Sequence, residues 1–597
     1  MDRSSQQDEK LSANILAQKK AGLLTENWSR LWSSLIIDEL VQQKLDHFYI
    51  SPGLRNAPLI AAVVYHPQAT SYNGIDERAL AYRALGHAKA TGRAAVLICT
   101  SGTALANYMP ALIEANKSGH PMMVLSADRP VELTVSDANQ SIDQNHFYGN
   151  HVEYFLNLGG PTAKISVNAV RTSIANMANN TRFPFPAPVH INCPFREPLD
   201  QTDEFIPASY LKLAAASFAA RHAQTEYINA QLVPQETHLA PLRARLSAAN
   251  NPLLVVGGLS PHRDHREIAR LLDTITCNFY VDIGSSFKYK YCLNDRVVPS
   301  FDHREVYDYF NLNPPDLIIH LGGRLVSKFY YQFLENNPAI PLISINNRTH
   351  KEDPSHSTNT RIIAEPNLLA KDWNEQQIKL RGTAGPGPSW SKFILLKREL
   401  IERAPLTYPM LSKTLIEIIP NHSALYLGNS TVVRSFDSYA SLSQQKDIKV
   451  LTNRGASGIE GFVASACGFC DGNGDLPLTL ILGDISLLHD LNSLHLLKDL
   501  AHPMVIVVVN NHGGGIFTLL PVAQEELIIQ QLTTPHNLNF APSARQFNLA
   551  YTLVQTADQF QEAYKVALQS QKSHIIEASI DNQENTTLYQ QLKTVRL

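Results

Sequence analysis

A chain of 597 residues is too long for one core and is expected to divide into three or four domains. Its formal net charge of −3, with 18% charged residues, argues against a polybasic nucleic-acid surface and for a small-molecule partner. Six cysteines are too sparse for a disulfide framework, the N-terminus lacks a signal-peptide core, and no segment reaches the roughly 18 apolar residues of a membrane span, so a cytoplasmic, soluble protein is expected.

In chain order, residues 1–26 form a polar extension, after which three regions repeat one pattern. Short β-rich apolar runs are each followed by a glycine-containing turn and a helical stretch, as in parallel sheets wrapped by helices. Residues 27–200 carry strand candidates in HFYISPG, AAVLICTSG, PMMVLSADRP and APVHINCP. Within them, DERALAYRALGHAKATG places Leu80, Ala84, Leu85 and Ala88 at helical spacing and stops at Gly92. Residues 201–235 look like a linker. The second region, 236–385, carries NPLLVVGGLS, PPDLIIHLGG and IPLISINN, and ends in a linker-like LRGTAGPGPSW. The third, 386–597, carries SALYLGNS, LTLILGD, MVIVVVNN and HIIEASI. The expected fold class is α/β, with three Rossmann-like, doubly wound parallel-sheet domains.

Chemistry concentrates in the third region. Asp484 ends the apolar run LTLILG, and about 25 residues later MVIVVV runs into Asn510, Asn511 and the glycines Gly513 to Gly515. Ligands of open parallel sheets bind beyond the C-terminal strand ends, so these residues can converge. Asp484, Asn511 and a backbone carbonyl in the following turn are hard oxygen donors suited to Mg²⁺ or Mn²⁺, which share their shell with phosphate oxygens. Glycines permit close approach of a diphosphate, and a helix after them can offer its N-terminus. Taken singly, Asp484 is a helix cap and Asn510–Asn511 a turn; the pair after two buried strands favours a metal-diphosphate site. There is no GxxxxGK[ST], so the site is not a P-loop, and a cofactor such as thiamine diphosphate is the natural guest. The lone CxxC of Cys467 and Cys470 has no second pair, and neither metal nor redox use is expected of it.

The order GD, about 25 residues, NN, together with Glu77 in the first region, resembles the thiamine-diphosphate-dependent enzymes. More closely, SPGLRNAPL, DERALAYRALGHAKATG, CTSGTALANYMPALIEA, LSADRP, ANQSIDQ, HINCPF, GNSTVVRSFD, NRGASGIEG, GDISLLHDLN and VVVNNHGGGIFTLLP resemble the 2-succinyl-5-enolpyruvyl-6-hydroxy-3-cyclohexene-1-carboxylate synthase family of menaquinone biosynthesis. The resemblance implies a transferase, a carboligase that decarboxylates 2-oxoglutarate and adds the succinyl unit to isochorismate. It implies pyrimidine-binding, central and diphosphate-binding domains in that order, and a homodimer or homotetramer with active sites at the dimer interface. Glu77 would hydrogen-bond the cofactor's aminopyrimidine as the catalytic carboxyl group. Ser430, Ile459, Asp484, Ile485, Ser486, Asn511, Gly513, Gly514, Ile516 and Phe517 would bind the cofactor, with Ile459 as the wedge beneath it. Asp484, Asn511 and Gly513 would hold the metal.

Both implied substrates are dicarboxylates, which call for arginine, lysine and amide donors. The matching segments supply Arg55, Arg129, Asn139, Gln140, Lys328, Arg434 and Arg454, with Leu520 lining the pocket. Two positions depart from the family pattern: Leu54 stands where serine is usual, and Phe329 where some members have arginine. Both lie on the substrate side. They leave open a related 2-oxo-acid decarboxylase or carboligase with another acceptor, or a non-catalytic homologue.

Overall fold

The computed structural model describes residues 16–292, 296–382, 390–440 and 445–596. Among these residues seventeen strands form three sheets in which every pairing is parallel. The first contains β1 (His47–Ile50), β2 (Thr70–Asn73), β3 (Ala95–Cys99), β4 (Met122–Asp128), β5 (Tyr154–Asn157) and β6 (Pro188–Pro194), in the order β2-β1-β3-β4-β6-β5. The second contains β7 (Pro252–Val256), β8 (Asn278–Val281), β9 (Leu317–Leu321), β10 (Leu342–Asn346) and β11 (Thr360–Ile363), in the order β11-β10-β9-β7-β8. The third contains β12 (Ser423–Leu427), β13 (Ile448–Thr452), β14 (Leu478–Gly483), β15 (Val505–Asn510), β16 (Ala550–Val554) and β17 (His574–Ser579), in the order β13-β12-β14-β15-β17-β16.

The chain divides into two compact units. One comprises residues up to Ala230 with Arg454–Ser457 and Val463–Asn473; the other comprises Gln231–Asn453, Gly458–Phe462 and Gly474–Leu597. In the first unit, the helix Glu77–Thr91 starts where Asp76 accepts the N–H groups of Arg78 and Ala79, and ends at Gly92 in the left-handed conformation. Leu80, Ala84, Leu85 and Ala88 are buried, as their spacing predicts. This helix meets the stretch Val463–Asn473 backbone to backbone, because a side chain at Gly86 would run into the Ser465 carbonyl and one at Gly468 into that of Arg83. At the same crossing the buried Arg83 makes a bidentate pair with Asp471, at 2.8 and 2.9 Å, and Tyr49 donates to the same carboxylate.

The stretch expected as a linker is partly packed structure. Its helix Ala208–Ala220 inserts Tyr210, Ala214, Ala215 and Phe218 into the first core, an apolar face that the surrounding prolines and polar residues conceal in the sequence. Leu23 and Leu24 of the polar extension enter the same core, while residues 1–15 lie outside the described residues. So does most of LRGTAGPGPSW, from 383 to 389. Among the described residues no helix is long and apolar enough to cross a membrane.

Candidate active site

The third sheet reverses its winding between β12 and β14, which opens a crevice at their C-terminal ends. Asp484 follows β14 there, buried at 2% exposure, and begins the short helix Asp484–His489 that carries Ile485 and Ser486. Its Oδ1 accepts from the Ile485 N–H at 2.7 Å and its Oδ2 from the Gly513 N–H at 2.9 Å, with His536 Nε2 3.3 Å away. Burial raises the proton affinity of this carboxyl group, and those two N–H donors and the histidines oppose the shift.

Asn511, past the end of β15, donates its amide N–H to Asn582, which leaves its amide oxygen as the end available to a cation. Gly513 has φ 146°, and a side chain there would meet the Thr533 carbonyl; one at Gly515 would displace the Asn511 amide. The glycines therefore keep the loop open and the ligand set in place. Beyond them the chain forms a 3-10 turn, Gly515–Leu519, carrying Ile516 and Phe517, rather than the expected α-helix. Gly514 donates to Thr533, so the chain folds back at once and this segment offers no helix N-terminus.

Among the described residues no three His, Cys, Asp or Glu side chains cluster as a metal site. One carboxylate, one amide oxygen and one backbone carbonyl fit a hard cation that draws its remaining ligands from phosphate and water, which is how Mg²⁺ binds.

At the end of β12, Ser430 has φ 67° and precedes the helix Thr431–Tyr439 without a side-chain capping bond, and Arg434 donates back to its carbonyl at 2.8 Å. Asn429 binds the carbonyls of Asn453 and Gly458, at 2.9 and 2.7 Å, and so fixes the approach to the exposed Ile459. One turn past Arg434, buried Asp437 accepts from Tyr280, Ser300 and the Ile283 N–H, with Lys288 at 3.2 Å. These groups, from β8 and the turns after it, anchor the Arg434 helix. Lys328 opens the helix Lys328–Asn336 beside half-exposed Phe329, and Ser327 just before it donates to Asp302. Burial raises the Asp302 pKa, while Ser327, Arg434 and Lys328 lower it. Leu520 lies exposed after the glycine loop.

The first sheet has the same reversal between β1 and β3. Beyond β1, buried Asn56 stitches the loop by accepting from Gly53 and donating to Ser51, both at 2.9 Å. Arg55 donates to the Phe195 carbonyl at 3.0 Å and lies 3.3 Å from Glu197, while Leu54 is 77% exposed. Arg129, after β4, donates to Ser101, after β3. Its pKa is lowered by burial and then by the charge of Arg55, against the opposing charges of Asp128 and Glu197. Gln140 approaches through its backbone, against Gly102, and Asn139 stands exposed. Buried Gln144 accepts from the Gly102 N–H and reaches Asn192, which donates to Asp128. Asn56 and Gln144 lie inside the motif segments SPGLRNAPL and ANQSIDQ, and only their burial distinguishes them as positioning groups. Glu77, at the first turn of its helix, raises the proton affinities of the buried Cys99 and Tyr108, secondary in each case to burial, which places its charge near the end of β3.

Residues 32–147 match the model of the thiamine pyrophosphate enzyme N-terminal TPP binding domain, and residues 435–578 that of the C-terminal TPP binding domain. The fold matches a thiamine diphosphate-dependent 4-hydroxybenzoylformate decarboxylase of Rhodococcus jostii RHA1, with TM-score 0.69 at 18% identity over 92% of this chain and 99% of that one. These matches and the strand-end residues define a thiamine-diphosphate-dependent enzyme.

Among curated proteins, the chain is 38% identical over 581 residues to a synthase of Syntrophus aciditrophicus, covering 96% of this chain and 100% of the relative. It is 35% identical over 573 residues to one of Chlorobium phaeovibrioides, covering 94% and 96%. Both relatives are named 2-succinyl-5-enolpyruvyl-6-hydroxy-3-cyclohexene-1-carboxylate synthase, and the chain belongs to that family, the transferases that carry out this step of menaquinone biosynthesis.

Proposed function

We propose that the protein joins 2-oxoglutarate and isochorismate with loss of CO₂. The C1 carboxyl group leaves, and the remaining succinyl carbon bonds to the ring alkene of isochorismate to give the product for which the family is named. Bound thiamine diphosphate would supply the nucleophilic carbon and the electron sink that decarboxylation requires. Asp484, Asn511 and the Gly513 carbonyl would hold Mg²⁺ or Mn²⁺ on its diphosphate, with Ser430, Ile485, Ser486 and Gly514 around it. Ile459, Ile516 and Phe517 would pack on its rings. Glu77 would hold a proton against its aminopyrimidine.

Arg55, Arg129, Lys328 and Arg434 supply four cations, in keeping with two dicarboxylate substrates. Arg454, Asn139, Gln140 and Leu520 would complete the substrate pocket. Fixing each acid at both ends lowers the entropic barrier to carbon–carbon bond formation. The reading rests above all on Asp484 and Asn511 standing together at the ends of β14 and β15.

Exposed Leu54 and Ile75 of the first unit, and Ile459, Leu520 and Leu527 of the other, are apolar surfaces in keeping with burial against a second copy, hence a homodimer or a homotetramer. No disulfide joins any of the six cysteines, in keeping with a cytoplasmic location. The test is product analysis of the Mg²⁺-supplemented protein with thiamine diphosphate and 2-oxoglutarate, with and without isochorismate. The succinyl adduct is expected. Succinic semialdehyde alone in both reactions rejects the acceptor and directs attention to Leu54 and Phe329.

A further inference from the structure

In the first unit, Glu114 on the helix Met109–Ser118 is 1% exposed, yet its carboxylate points at backbone rather than at an arginine. Three successive N–H groups converge on it: Gly455 at 2.8 Å on Oε1, and Ala456 and Ser457 at 2.6 and 3.4 Å on Oε2. Buried Lys89 lies 3.8 Å from Oε1. Ser457 has φ 64°, the left-handed turn that curls consecutive N–H groups into an anion-binding concavity. Such a concavity ordinarily receives a phosphate or carboxylate of a ligand. Here the protein fills it, so the loop backbone is closed to substrate anions and the neighbouring side chain must supply the recognition. That neighbour is Arg454.

We propose that Glu114 is a positioning residue: by gathering the N–H groups of Gly455 to Ser457 it fixes the backbone from which Arg454 reaches a substrate carboxylate. This rests on the reading of Arg454 as a substrate cation. A carboxylate suits the task because all its oxygen lone pairs accept. A glutamine would turn its own N–H donors toward one of the loop N–H groups and lose a bond there.

The test uses full-length protein with thiamine diphosphate and Mg²⁺, and four variants: Arg454→Ala, Glu114→Gln, Glu114→Gln with Lys89→Met, and Glu114→Gln in the Arg454→Ala background. The paired Lys89→Met variant removes the buried lysine charge that Glu114→Gln leaves uncompensated and so guards against simple misfolding. Arg454→Ala is expected to raise the KM of one substrate. Glu114→Gln, with or without Lys89→Met, is expected to raise the same KM about tenfold, a 1.4 kcal/mol effect, with kcat little changed, and to add nothing once Arg454 is gone. Amide exchange at Gly455 and Ala456 should quicken in both Glu114 variants. Quickened exchange with an unchanged KM, or a KM effect that adds to that of Arg454→Ala, overturns the inference and leaves Glu114 a structural residue. If Arg454→Ala changes neither KM, the reading of Arg454 fails, and the inference with it.

Discussion

The first and third sheets share one strand order: with strands numbered from the start of each sheet, both run 2-1-3-4-6-5. Their strand ends do opposite chemistry. In the third sheet, β12, β14 and β15 deliver Ser430, Asp484 and Asn511, an oxygen-rich set for a cation and its phosphates. In the first, β1, β3 and β4 deliver Arg55, Ser101 and Arg129, a set with two cations that would suit carboxylates, with Glu77 on the helix between. The second sheet repeats only 2-1-3-4-5, and the residues directly after its β7 and β9 are the uncharged pairs Gly257–Gly258 and Gly322–Gly323. The scaffold therefore fixes where a ligand sits, and the few residues past each strand decide what it is.

The largest expected effect separates the chemistry proposed for the first sheet from the binding proposed for the third. Glu77→Gln should lower kcat by about 10²–10⁴, the contribution typical of a positioned proton-transfer group, with cofactor affinity retained. Adduct formation with calorimetry on the same preparation checks both halves. A large loss of cofactor binding would show that the two sheets do not divide the work this way.

Next is the frame of the first unit. Arg83→Met strands the buried Asp471 carboxylate and should cost about 3–5 kcal/mol of stability, with Arg83→Met/Asp471→Leu recovering most of it. Denaturant unfolding measures this. A cost below about 1 kcal/mol, the worth of an exposed pair, would mean that the crossing of the two helices depends on the glycine contacts alone.

A smaller effect is expected at the metal. Asp484→Asn should weaken Mg²⁺ by about 10–100-fold or more, the range already seen when partners of metal ligands are lost. Excess metal should restore activity to this variant but not to Glu77→Gln. Equal rescue of the two would erase the distinction between the sheets.

Much of this architecture was legible in the sequence. The strands foreseen are the inner members of each sheet. The six that were not, β2, β5, β8, β11, β13 and β16, are the six edge strands. An inner strand of a parallel sheet is buried on both faces and reads as a continuous apolar run. An edge strand such as Thr70–Asn73, largely exposed, or Thr360–Ile363, half-exposed, has no such run and is held by ladder hydrogen bonds that leave no mark in hydrophobicity. The site divides in the same way. Asp484 and Asn511 stand out because each follows an apolar run. Gln144, Glu114 and Asp302 have partners distant in sequence, which no local pattern reports, and Asn56 bonds within its own loop but is marked only by its burial. The 3-10 turn after Gly513 was hidden too, because the return contact of Gly514 with Thr533 lies nearly twenty residues ahead.

The smallest expected effect contrasts how the two units answer pH. His190, on β6, is buried with its Nε2 2.7 Å from Ser126 Oγ, and burial, then the charge of His146, lowers its pKa to about 3. The unfolded chain takes up this proton near the ordinary value of about 6.5 and the folded chain does not. Between those values the unfolded state binds more protons, so this histidine's contribution to stability is full above about pH 6.5 and is lost as pH falls. At pH 5 the loss is about 2 kcal/mol. Asp282 in the second unit runs the other way. Burial, followed by the charge of Asp437, raises its pKa to about 7, so the folded chain holds the proton longer and its contribution falls as pH rises through the acid range to neutrality. Denaturant unfolding at pH 7.5 and pH 5 should show the difference shrink by about 2 kcal/mol in His190→Gln, whose amide can still bond Ser126 without titrating. An unchanged difference would place the acid sensitivity of the first unit elsewhere, with buried His87, also lowered to about 3, the next residue to replace.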